Sequence, residues 1–225
     1  MNGWINGSIK GLFIKDMKLM KNQKQFFAIM ILCAMGFINF FEPDFLVTYM
    51  GVMCMFFVLS TISYDEFDNG NAFLFSLPIS RKDYVLEKYL FGASVGTGAW
   101  LLAVAVTTVY QIWKNPVFSI SDWLITSCLL LLLTLFFMAV LLPIQLKFGG
   151  EKGKMVMMLV YGGIFALVVL IGKAIEEIQL DVEAFLYWLD NLDSIPVLIT
   201  AGLILAAALG LSYGISVKIV QKKEF

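Results

Sequence analysis

Six long runs of this 225-residue chain contain no acidic or basic residue: Phe26 to Phe41, Phe45 to Tyr64, Tyr89 to Trp113, Trp123 to Leu146, Met155 to Gly172 and Ile195 to Val217. A helix needs about 20 apolar residues to cross the hydrocarbon of a bilayer, and most of these runs have that length. With 60% apolar residues, 15% charged residues and a mean hydropathy of +0.85, the chain cannot cover its apolar surface in water. The sequence therefore predicts an all-α polytopic membrane protein with six transmembrane helices in one domain, 1–225. The first run is the shortest and rises only about 24 Å. It needs Lys24 and Gln25 to snorkel or the bilayer to thin. The residues Phe37 to Pro43 offer no small-residue site for signal cleavage.

The charges fix a direction. Placing the polar segments alternately on two faces puts Lys10, Lys15, Lys18, Lys21, Lys24, Arg81, Lys82, Lys88, Lys147, Lys152, Lys154, Lys218, Lys222 and Lys223 on one side. Only Lys114 and Lys173 fall opposite, where acidic residues predominate. By the positive-inside rule both termini are expected in the cytoplasm. Basic residues scattered along membrane edges form no nucleic-acid surface, so no nucleic-acid partner is expected. Cys33, Cys54 and Cys128 fall inside apolar runs without metal spacing, and the chain has no His for imidazole ligation or base chemistry. No metal and no cofactor is expected in this chain.

Residues 8–24 read as an amphipathic helix on the anionic leaflet, with Ile9, Leu12, Phe13, Met17 and Met20 opposite Lys10, Lys15, Lys18 and Lys21. The longest cytoplasmic connection runs from Asp65 to Lys88. It opens with Asp65, Glu66, Asp68 and an Asn69-Gly70-Asn71 turn, then offers Phe73, Leu74, Phe75 and Leu77 as an apolar patch that Pro78 ends. Apolar side chains exposed between charges call for a partner. Ser80 caps a second helix, with Asp83 in the capping-box position, and Arg81, Lys82, Asp83, Glu87 and Lys88 are expected to keep it wet until it enters the third run. Gly149-Gly150-Glu151-Lys152-Gly153-Lys154 is not a nucleotide loop, because Phe148 and Met155 stand where Gly and Ser or Thr are required. It reads as a tight turn.

Residues 173–194 carry an acidic amphipathic pattern suited to the outer interface, with Tyr187 and Trp188 for the headgroup layer. Gly92 and Gly96 in the third run, and Ala206, Gly210 and Gly214 in the sixth, make small faces for close helix contact within or between subunits. Pro143 removes a helix hydrogen bond near the end of the fourth run.

The stretch Ser63 to Leu90 contains Tyr64-Asp65-Glu66 and Leu77-Pro78-Ile79-Ser80-Arg81-Lys82-Asp83-Tyr84-Val85, followed by Lys88-Tyr89. It resembles the region after the second span of small ABC-2 type transporter permeases, in particular bacterial permeases that export phenol-soluble modulins and antimicrobial peptides. The six-span plan with an amphipathic N-terminal helix extends this resemblance over nearly the whole chain.

The resemblance implies a permease subunit in the bacterial cytoplasmic membrane, paired with a second permease of the same or a different kind and carrying a peptide cargo. ATP and Mg would be bound by separate ABC ATP-binding subunits. Coupling to those subunits would fall on Phe73, Leu74, Phe75, Leu77, Pro78, Ser80, Arg81, Lys82 and Asp83, through either the Phe73 to Leu77 segment or the Ser80 to Lys88 helix. Asp65 and Glu66 match the acidic pair of the family, and an inferred role for them is to hold the coupling loop against Arg81 or Lys82. The competing functions are a secondary transporter, an immunity protein that binds a toxic peptide, and an intramembrane enzyme. The six runs hold neither an ionisable group for proton coupling nor a Lys or His to activate a hydroxyl.

Overall fold

The computed structural model describes residues 2–67, 70–115, 118–149 and 194–223, with scattered helical positions between 153 and 173. Among the described residues the chain forms seven continuous helices: α1 (Asn2–Asn22), α2 (Lys24–Phe37), α3 (Pro43–Glu66), α4 (Gly70–Ser76), α5 (Arg81–Lys114), α6 (Ile120–Phe148) and α7 (Ser194–Lys222). The fifth apolar run is described only at isolated positions. The outer helix expected over 173–194 lies outside the described residues except at its two ends.

The helices α3, α5, α6 and α7 are long and apolar enough to cross a membrane. At 14 residues α2 is apolar but shorter. Together they make an all-α polytopic membrane protein. Local chemistry sets the ends of these helices. Pro43 occupies the first turn of α3, where its missing N–H costs nothing, and Asp44 follows it. Ser80 caps α5 by accepting the Asp83 N–H at 3.0 Å, as its sequence predicts. Of the expected Asn69–Asn71 turn, Gly70 and Asn71 open α4, and Asn69 lies outside the described residues. Helix α6 continues through Pro143 and stops at Gly149, whose φ of +77° suits glycine. A side chain there would also collide with the Glu66 carboxylate at the end of α3.

Small residues bring α5 close to its neighbours. A Cβ at Gly92 would lie 2.6 Å from Met138 Sδ and 3.3 Å from Val58 Cγ1, and one at Gly96 would lie 2.5 Å from Met55 Cε. The small face of the third run is thus used within the subunit. In α7, by contrast, a Cβ at Gly210 or Gly214 meets nothing within 4 Å among the described residues.

Polar groups tie the apolar helices where water cannot compete. Tyr89 Oη sits 2.5 Å from Ser212 Oγ and 2.9 Å from Ser216 Oγ, joining α5 to α7, while the Ser212 hydroxyl donates to the Ala139 carbonyl of α6. Trp100 Nε1 donates to the Ser127 carbonyl at 2.7 Å, and Trp123 Nε1 donates to Thr108 Oγ1 at 2.9 Å. The cysteines are free thiols, with Cys54 buried. An apolar core at the α4 end of the bundle gathers Leu59, Ile62, Tyr84, Val85, Met138 and Leu142, and Leu12 of α1 enters it.

Candidate functional site

Helix α1 does more than rest on a lipid surface. Its break from α2 falls at Gln23, whose side-chain amide donates to Tyr64 Oη of α3 at 2.6 Å. Phe13 meets Phe91 of α5 edge-on at a centroid distance of 5.5 Å, and Phe91 in turn packs near Phe57 of α3. Leu12 is 3% exposed. These contacts make α1 a packed member of the bundle.

Under α1 lies a cluster of buried charge. Lys88 of α5 is fully enclosed, with its Nζ 2.5 Å from Asp16 Oδ2, 2.8 Å from Asp65 Oδ2 and 3.0 Å from Thr61 Oγ1. Lys15 pairs with Asp65 and lies 3.1 Å from Asp16 Oδ1. Tyr84 Oη donates to Asp65 Oδ2 at 3.1 Å, and its ring lies 5.3 Å from the Lys88 ammonium. Glu87 is also fully buried, 3.9 Å from Lys88, and among the described residues neither of its carboxylate oxygens accepts a hydrogen bond. Desolvating such groups is costly unless they are mutually paired. One cluster therefore joins α1, α3 and α5, and each helix contributes a charge that the others neutralise.

This arrangement corrects two sequence expectations. Glu87 and Lys88 do not keep the start of α5 wet, because both are sealed from solvent. Asp65 pairs with Lys15, Lys88 and Tyr84 rather than with Arg81 or Lys82. The adjacent Glu66 reaches Lys223 at 2.7 Å. The Arg81 guanidinium donates to the carbonyls of Val220 and Gln221 at 3.1 and 2.5 Å, satisfying acceptors at the C-terminal end of α7.

Sequence reasoning passed over Asp16 and Thr61. Asp16 sits beside Lys15 in a run of charges, and its partner is 72 residues away, so local spacing gave no signal of its burial.

The short α4 segment lies beside this anchored region and has two faces. Leu74 is buried, and Phe75 packs edge-on against Tyr84 at 5.5 Å with Arg81 over its other side at 5.8 Å. Phe73 points outward at 71% exposure, and Leu77 and Phe67 are also exposed, at 43% and 75%. Pro78 and Lys82 are also exposed. The four apolar residues read as one patch are thus split between two inward anchors and two outward contacts. Asp83 accepts from Ser8 Oγ at 3.3 Å, so α1 also touches the first turn of α5. Among the described residues no group of His, Cys, Asp and Glu is arranged to hold a metal ion.

A search of curated proteins finds no match to this chain. The family model described as ABC-2 family transporter protein matches residues 11–221, from within α1 to the last turn of α7. The match embraces the buried charge cluster, the α4 segment and the long apolar helices together, and the chain belongs to the ABC-2 family of transporter proteins.

Proposed function

We propose that this chain is the transmembrane permease subunit of an ATP-driven exporter, with ATP hydrolysed by separate ABC subunits and a second permease completing the path. The observation that carries the reading is the divided α4 segment. Phe73 of α4 and Leu77 just after it face outward, while Leu74 is buried and Phe75 packs on Tyr84 of α5, so a load on the outer face passes into the bundle. Loose apolar side chains on a tail would transmit nothing.

In this reading α4 and the first turn of α5 seat in a groove of the ATP-binding subunit. Phe73 and Leu77 make the contact, Pro78 and Ser80 set the bend between the two helices, and Lys82 offers an exposed charge at the rim. Arg81 and Asp83 tie that bend to α7 and α1. Asp65 and Glu66 position the loop from the end of α3, one through the lysines of the buried cluster and the other through Lys223. Closure of the ATP-binding subunits then tilts α5 against α3, shifting a two-state equilibrium between inward and outward access.

The lysine-rich end of the bundle faces the cytoplasm of a bacterial cell in this proposal, and six spans return both termini to that side. The resemblance of residues 63–90 favours amphipathic or antimicrobial peptides as cargo. Affinity purification in mild detergent, followed by reconstitution, tests the function. Copurification of an ATP-binding chain and peptide movement that requires ATP support it. Peptide movement unaffected by ATP, or binding without movement, contradicts it.

A further inference from the structure

An apolar slot of about 1000 Å³ opens between α2 and α5, with α3 as its floor and α1 across one end. We propose that this slot binds one anionic phospholipid of the leaflet on which α1 lies, with its acyl chains along the slot and its headgroup at Lys21 and Lys24. Three observations choose this occupant.

The first is charge. The slot is lined by groups such as Phe27, Ile31, Cys54 and Leu102, while Lys21 and Lys24 stand at the α1 end. Both lysines are exposed, and among the described residues neither forms an ion pair. Two free ammonium groups beside an apolar cleft match a molecule with a negative head and a hydrocarbon tail. A zwitterionic lipid carries its own positive group and gains less from them.

Depth is the second. The lining residues of α5 run from Ser94 to Leu102, about 12 Å at 1.5 Å per residue. One leaflet contributes about 15 Å of hydrocarbon. Farther along, α5 is tied to the segment after α2 by the Tyr110 hydroxyl, which donates to Asn39 Oδ1 at 2.9 Å. The slot therefore serves one leaflet.

The third is the missing hydrogen-bonding capacity. Among the described residues Ser94 is the one hydroxyl in the lining, and it donates to the Leu90 carbonyl of its own helix at 2.7 Å. An extended peptide would bring backbone amides into this slot with no partner, at a desolvation cost an acyl chain does not incur. The slot favours lipid over extended cargo.

Native mass spectrometry of the full chain, purified in mild detergent with its accompanying subunits, tests the site using added phosphatidylglycerol or phosphatidylcholine. The wild type is expected to retain a phosphatidylglycerol adduct in preference to phosphatidylcholine. Lys21→Glu with Lys24→Glu should lower that preference about tenfold or more, whereas arginine at both positions keeps it. Gly98→Trp should remove the adduct with both lysines intact, because a Cβ at Gly98 meets nothing within 4 Å among the described residues and the indole would enter the slot that Gly98 lines. Equal retention of the two lipids by the wild type overturns the proposal, as does an undiminished adduct in folded Gly98→Trp. A peptide adduct that the tryptophan removes would make the slot a cargo site and overturn it equally.

Discussion

Lys88 Nζ lies 2.5 Å from Asp16 Oδ2, and neither side chain reaches solvent. The pair joins residues of α1 and α5 that are far apart in sequence. Asp65 brings α3 into the same contact, so the amphipathic N-terminal helix is held by charge as well as by Leu12 and Phe13.

Removing one member of this cluster should be severe. Lys88→Met removes the one fully buried cation from between Asp16 and Asp65 and leaves them only the partly exposed Lys15, a change that costs about 3–5 kcal/mol when a buried pair is broken. Thermal unfolding in detergent should show a large loss for Lys88→Met, and adding Asp16→Asn should recover part of it. Equal stability of Lys88→Met and the wild type would mean that the cluster does not hold α1.

Close helix packing gives a second test. At Gly92 a valine would press on Met138 and Val58, so Gly92→Val should destabilise by about 1–3 kcal/mol. Gly210→Ala on α7 meets no neighbour among the described residues and should change stability by no more than about 0.5 kcal/mol apart from its helix-propensity gain. Similar losses in the same unfolding assay would contradict the packing described for α5.

The start of α5 depends on one cap. Ser80→Ala deletes the acceptor for the Asp83 N–H and should cost about 1 kcal/mol, while Ser80→Asp restores an acceptor and should retain stability. Hydrogen exchange at Asp83 and Tyr84 reads the effect locally. Unchanged protection in Ser80→Ala would remove the cap from the account.

Much of the helical plan was legible because lipid imposes it. Uncharged runs located α3, α5, α6 and α7, and Ser80 announced the start of α5. Helix α1 was visible from its periodicity, but its docking was not, since a face with Leu12 and Phe13 suits lipid and protein equally. The burial of Glu87 and Lys88 was read the wrong way. Charges near a span usually snorkel to water, and only the folded chain reveals that Asp16 and Asp65 wait for Lys88. Within the candidate coupling segment the residue types were evident, yet a seven-residue helix gives too little periodicity to separate Leu74 and Phe75 from Phe73, and Leu77 falls just beyond its end.

The two faces of α4 lead to different mutant behaviour. Phe75→Ala removes a ring packed against Tyr84 and should weaken the fold by about 3 kcal/mol, whereas Phe73→Ala exposes no core and should leave unfolding nearly unchanged. ATP-dependent transport should fall in both, for different reasons. Loss of stability in Phe73→Ala comparable to that in Phe75→Ala would contradict the assignment of outward and inward faces.

Site-specific photocrosslinking in intact membranes tests the central claim most directly, with the crosslinker placed at Phe73 and, separately, at Phe75. The account predicts a crosslink from position 73 to an ATP-binding subunit and from position 75 only to the permease itself. Crosslinks from position 73 to lipid or to this chain alone, with the ATP-binding subunit absent, would contradict it.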